Sequence, residues 1–300
     1  MKVVVFNVGP ALSAYIELRD KKIVYDLGNG NGFSPVKDFL IPLFQKREGK
    51  KDRYKLDQLI LSHPHKDHIS DLDVLNEKFY YELYTTPNDL SEREESYKNV
   101  NWDLVDDSSS DEVKRVRESY KNRRLPLRSC DPSRMTIGFI NPGAVEEDSF
   151  LTNESYTNNI SIVLYIHSGY RIFFAADVQK EGMKKLLESN SILKRKIEQG
   201  VDFLICPHHG LRSSFSTELF AAMKNGKTKK LNIVSEKENG DDNRNVDSRY
   251  SSTDYCEGDN NLSSDDKTVC QRKTSQGHIF IDDTGTVTVE KDISKIIDLF

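Results

Sequence analysis

Three features of this 300-residue sequence predict an α/β (α+β) fold, a four-layer αββα sandwich. Short runs rich in Val, Ile, Phe and Tyr recur in both halves, short helical stretches lie between them, and in each half strands end in His or Asp. Two sheets packed face to face need helices outside to cover their remaining apolar sides. One domain is expected over residues 1–300, carrying a charged, largely helical insert at 88–130 and a polar, flexible insert at 236–276.

The elements follow in order. Residues 3–6 are β-branched and aromatic, and residues 14–18 alternate as a half-buried strand does. Residues 22–25 make a third strand, which ends in Asp26-Leu27-Gly28. Residues 35–44 repeat apolar side chains at a helical period that Pro42 shortens or kinks. Residues 56–61 lead into a histidine-rich loop, 71–79 read as a short helix and 82–86 as a strand. In the second half, residues 135–140 form a strand closed by Asn141-Pro142-Gly143, and 157–165 carry Asn158-Asn159 into an apolar strand. Residues 170–177 end in Asp177 and a helix over 179–189, and 202–206 end in Pro207-His208-His209-Gly210. A strand at 231–234, a hairpin turning at Asp283-Thr284-Gly285 and a last helical turn or two at 293–300 complete the chain.

Bulk properties exclude several classes. A formal net charge of -5 with 30% charged residues suits a soluble protein and excludes a basic nucleic-acid coat, so a nucleic-acid substrate would need a local basic groove. No apolar run approaches a membrane span or a signal segment, which places the chain in the cytoplasm with no membrane partner. Cys130, Cys206, Cys256 and Cys270 form no C-x-x-C pair, so reduced thiols are expected and a zinc knuckle is not.

The chemistry concentrates in His63-Pro64-His65-Lys66-Asp67-His68, which follows the apolar run Leu59-Ile60-Leu61 and holds three of the seven histidines. Imidazole and carboxylate donors suit zinc, and manganese or iron where oxygen donors share the site. His63 and His65 lie two apart on a loop that Pro64 keeps extended, so both rings can face one ion, while Asp67 and His68 turn to a second. Two divalent ions, Zn2+ or Mn2+, are the expected cofactors. A carboxylate at the end of a buried strand, as at Asp177, is costly unless it is paired or bound to metal.

The spacing H-x-H-x-D-H resembles the signature of the metallo-β-lactamase fold superfamily, and its closest branch is the ComEC-type domain of DNA-uptake proteins. That resemblance implies that Asp26 lies beneath the metals as an acceptor orienting their ligands, that Asp177 bridges both ions and that His208 binds the second. His209 then meets substrate or leaving group, although the two could exchange roles. Where many relatives carry a third histidine for the first ion this chain has none, and Asn159 is a candidate oxygen donor. The opening Asn7-Val8-Gly9-Pro10-Ala11-Leu12 keeps the branch's glycine and lacks both of its carboxylates.

The function implied is metal-assisted hydrolysis, with Asp67 orienting the nucleophile and His209 or Lys66 neutralising phosphate charge. A phosphodiesterase or nuclease acting on DNA or RNA leads. A hydrolase of a small or cyclic nucleotide, or of a thioester, lactone or β-lactam, stands beside it. A third reading is a metal-binding sensor or partner subunit that docks a protein partner through the two inserts. For the segment 114–128 two readings compete, a solvated helix and a basic lid over a phosphate-bearing substrate.

Overall fold

The computed structural model describes residues 1–88, 99–121, 128–236, 245–259 and 268–300. Its strands are, in chain order, β1 (Lys2–Val5), β2 (Ser13–Leu18), β3 (Lys21–Leu27), β4 (Tyr54–Ile60) and β5 (Phe79–Thr85), then β6 (Met135–Gly138) and β7 (Val163–Ser168). There follow β8 (Tyr170–Phe174), β9 (Phe203–Ile205), β10 (Leu231–Val234), β11 (Gln271–Lys273), β12 (His278–Ile281) and β13 (Val287–Glu290). Seven strands make one sheet in the order β13-β12-β1-β2-β3-β4-β5, and six make the other in the order β11-β10-β9-β8-β7-β6.

The expected αββα layering is present. Between the sheets, Val3, Ile16, Ile23 and Tyr25 of the first meet Leu164, Ile172, Phe174 and Ile205 of the second, all buried. The Tyr25 and Phe174 rings lie 4.8 Å apart, and the Tyr25 hydroxyl donates to the Ile162 carbonyl at 2.6 Å, which pins the layers together. Each such side chain contributes about 1.5–3 kcal/mol by leaving water. Alternation then sends Tyr15 and Val24 to the outer face, where Phe39 packs 5.6 Å from Tyr15. Met183, Leu186, Leu193 and Ile197, from helices Lys180–Ser189 and Ser191–Glu198, share the outer core with Tyr165 and Phe173.

The register brings four strand ends to one edge. β3 and β4 run parallel with Tyr25 opposite Ile60, and β8 and β9 run parallel with Phe174 opposite Ile205. The residues just past those pairs are Asp26, Ser62-His63, Asp177 and Pro207-His208-His209, which collect at the carboxyl ends of parallel strands. Among the described residues no helix is long and apolar enough to cross a membrane.

Several local expectations change. Pro42 does not end its helix: Pro35–Leu40 winds as a π-turn and continues into the α-helix Ile41–Glu48, whose second residue it is. A proline there lacks an amide to donate, and the wider turn takes up the mismatch. Asn141-Pro142-Gly143 starts the helix Pro142–Glu147, because the Asn141 side chain accepts from the Gly143 amide at 2.9 Å.

The described part of the 236–276 insert is structured rather than a loose loop. Tyr250, Cys256 and Cys270 are buried, and β11 extends the second sheet parallel to β10. Its few apolar residues suffice because they join an existing core and need not form their own. Within residues 88–130 the described part includes helix Asp111–Lys121, with Val113, Val116 and Tyr120 buried.

Candidate metal centre

The loop after β4 is held from below. Asp26 is buried and in the left-handed region at φ 56°; its carboxylate accepts from the Ser62 amide (2.7 Å), the Ser62 hydroxyl (2.7 Å) and His68 Nδ1 (2.8 Å). The Leu12 amide donates to the Asp67 carbonyl at 3.1 Å, and a Cβ on Gly28 would lie 2.0 Å from that same oxygen. Glycine is required there because two backbones meet. His65 caps the short helix Lys66–Ile69, whose turn carries Asp67 and His68 back toward the second sheet.

The histidines converge. His63 Nε2 lies 2.9 Å from His65 Nδ1, while Ser62 Oγ contacts His63 Nδ1 at 2.9 Å. Asp177, buried at the end of β8, has Oδ1 3.4 Å from His68 Nε2 and Oδ2 3.9 Å from His63 Nε2. His209 Nε2 lies 3.3 Å from Asp67 Oδ2 and 3.7 Å from Asp177 Oδ2; His208 Nε2 lies 3.9 Å from Asp177 Oδ2. Two donor groups result, each with its donor atoms within 4.8 Å of one another: His63, His68 and Asp177; and Asp67, His68 and His209.

Burial sets the protonation balance. It holds the His63 imidazole well below its ordinary range, with His68 and His65 adding to the effect, so His63 keeps a lone pair. Burial alone would depress His68, but Asp177, Asp26 and Asp67 outweigh it and raise it well above the usual value. Burial likewise opposes the charge on Asp177, yet His68 and His209 hold its carboxyl well below the carboxylate range. Burial acts against Asp67 too, and His68 and His209 keep it lowered.

This donor set fits divalent ions. His68 Nε2 is buried, makes no hydrogen bond and faces two carboxylates, while its other ring nitrogen is tied to Asp26, the arrangement that fixes an imidazole for coordination. Nitrogen and carboxylate donors in this ratio suit zinc or manganese.

His208 and His209 differ in their distances to the two acids, His208 Nε2 lying 3.9 Å from Asp177 and His209 Nε2 3.3 Å from Asp67. The tight group with Asp67 and His68 takes His209, whereas the sequence favours His208 for the second ion. Both residues are left-handed, at φ 45° and 57°, and the successive turns swing His209 toward Asp67. Asn159 Oδ1 accepts from the Gln179 amide at 3.1 Å and its amide nitrogen donates to the Leu151 carbonyl and Glu154, bonds that brace the turn after Asp177. Lys66 lies beside the centre with its ammonium 3.4 Å from Glu112.

Two residues near the centre escape a reading by motif. Ser62 links Asp26, His63 and His68, and its only sequence signal is a hydroxyl at the strand end before the first histidine. Asp106 lies 3.3 Å from His65 Nε2 and carried no signal among the insert's other acids. Above the centre opens a cavity of about 670 Å³, lined by Pro10, Ala11, Leu211 and Val246 on its apolar side and by Asp107 and Glu236 among its acids.

The two sheets thus bring clustered His and Asp donors to their strand ends. Residues 6–135 match the family model of the metallo-beta-lactamase superfamily. Asp26 and the HPHKDH loop lie inside the matched segment; Asp177, His208 and His209 lie beyond it. A search of curated proteins finds no match. Among solved structures the chain is similar to the metallo-beta-lactamase fold protein YhfI from Bacillus subtilis, at 16% identity and TM-score 0.35 over 77% of this chain and 85% of that one. It is similar to AidC, a dizinc quorum-quenching lactonase, at 13% and 0.33 over 63% and 69%. It is similar as well to the short form of human tRNase Z, at 14% and 0.29 over 68% and 77%.

Proposed function

We propose that this chain is a hydrolase that uses two divalent ions to cleave a phosphodiester in a substrate of nucleotide size. The observation that carries the reading is the pair of donor groups sharing His68 beneath one cavity. His63 and His65 would hold one ion and Asp67, His68 and His209 the other, with Asp177 between them. Bound there, such ions supply Lewis acidity, which acidifies water and offsets charge developing on a phosphoryl group. Asp26 and Ser62 keep the His63 and His68 rings aligned, Asp67 orients the attacking water, and Lys66, drawn off Glu112, meets the phosphate. His208 lines the cavity and is free to contact substrate or leaving group.

The size of the substrate is argued from charge. Lys66 is the one lysine or arginine among the described lining residues, and Asp107 and Glu236 are acidic. The basic segment is largely engaged: Arg115 pairs with Asp73 at 2.7 Å, Arg117 lies 5.8 Å from the centre of the Trp102 ring, and Lys114 is 3.7 Å from Asp111. Arg123 and Arg124 lie outside the described residues. A polyanion gains affinity chiefly from free cations that displace its counterions, and the described lining of the cavity offers one, Lys66. The likeness of Pro207-His208-His209-Gly210 to the competence-type motif supports a phosphodiester over an acyl substrate.

The test is a panel assay with zinc or manganese added: a chromogenic phosphodiester, cyclic dinucleotides, single-stranded DNA, RNA, a lactone and a thioester. Turnover of the small phosphodiesters, lost in Asp177→Ala, is expected. Turnover confined to the polymers, or to the lactone or thioester, would overturn the substrate, and no turnover at all would favour a binding or sensor role.

A further inference from the structure

The three histidines of the HPHKDH loop each have a partner for the ring nitrogen that faces away from the donor cluster, but the partners come from different places. His63 is met by Ser62, in the loop just past β4, and His68 by Asp26 of β3, both buried. His65 is met by Asp106, whose Oδ2 lies 3.3 Å from Nε2 and belongs to the insert. The insert is fixed at that point, since the Asp106 amide donates to the buried Thr157 hydroxyl at 2.9 Å. The following residue, Asp107, turns the chain in the left-handed region at φ 53°. The same segment reaches the next residue of the loop through Glu112 and Lys66, and anchors beyond it through Arg115 and Asp73.

We infer that Asp106 is the carboxylate that fixes His65 for coordination through Nδ1, so that docking of the 99–121 segment and ion binding at the His63–His65 position are coupled. The inference rests on reading that position as a metal site. A proton held on Nε2 by Asp106 leaves the Nδ1 lone pair aimed where His63 Nε2 also points, 2.9 Å away. Carboxylates in this role set the tautomer and raise the basicity of the ligand, and their loss typically lowers metal affinity about 10–100-fold. Coupling must run both ways: if the docked segment favours the ion, the ion favours the docked segment. An exposed His–Asp pair with no such role would contribute little to anything measurable.

Zinc titration against a chromophoric chelator, with hydrogen exchange of residues 99–121, tests this without reference to activity. In Asp106→Asn the weaker zinc step should lose about 10–100-fold in affinity while the metal-free melting temperature stays unchanged. Asp106→Glu should recover part of the loss. Zinc should slow exchange of the 99–121 amides in the wild type and fail to do so in Asp106→Asn. A wild type that binds zinc, with Asp106→Asn binding it equally and responding equally in exchange, would overturn the coupling alone. A wild type that takes up no zinc would overturn the metal centre and the coupling together.

Discussion

The two turns that face each other across the centre are held in opposite ways. In the loop after β4 every histidine has its outward nitrogen engaged, by Ser62, Asp106 or Asp26, and the backbone carrying the three rings is unstrained. In the turn after β9, Nδ1 of His208 and of His209 are both buried without a hydrogen bond, while both residues adopt positive φ. The first turn orients its rings through side-chain partners; the second does so through a backbone that leaves them little choice. Ring orientation at metal sites is usually explained by the first device; the turn carrying His208 and His209 uses the second.

His278 is the control for a histidine of the first kind that is remote from the centre. It is buried, and Nδ1 accepts from the Asn7 amide at 3.1 Å, so the fold requires its neutral form. Burial, opposed in part by Glu290, lowers its pKa to about 4, against about 6.5 in the unfolded chain. Between those values the unfolded state binds more protons. Its contribution to stability is therefore complete above about pH 6.5 and is lost as pH falls toward 4, by about 3 kcal/mol in all. Denaturant melts from pH 7 to pH 4 should show this slope and should lose it in His278→Gln. An unchanged slope in the variant would assign the acid sensitivity to other groups.

A smaller effect separates strain from contact in the second turn. A non-glycine residue in the left-handed region costs roughly 1–2 kcal/mol, and glycine escapes that cost. His209→Gly should therefore fold more stably than His209→Ala by about 1 kcal/mol in metal-free protein, as chemical denaturation would read. Both should lose the same share of metal binding. Equal stabilities would mean that the backbone there is not strained and that the contrast between the turns is one of contacts alone.

Much of the fold could be read from the sequence because period and strand ends speak directly. The alternation in residues 14–18, the apolar runs before His63, Asp177 and Pro207, and the turn at Asp283-Thr284-Gly285 all report local constraints that the structure keeps. Whatever depends on contacts between distant segments was out of reach. The bond from the Gln179 amide to Asn159 Oδ1 joins residues 20 positions apart and has no local signal. The two successive positive φ values at His208-His209, which set where each ring points, are announced by no residue type there. Asp106 is one acid among many until the fold of the insert sets it on His65, which is 41 positions away in sequence.

On the proposed reading, the two turns together form one centre for two ions. Equilibrium dialysis of metal-stripped protein against zinc, with the bound metal counted by mass spectrometry, tests it most directly. Wild-type protein should approach two ions per chain, and His68→Ala, which removes a ligand of the ion held with Asp67 and His209, should fall to about one while remaining folded. A folded wild type that retains no divalent ion, or a His68→Ala variant that still retains two, would contradict the account.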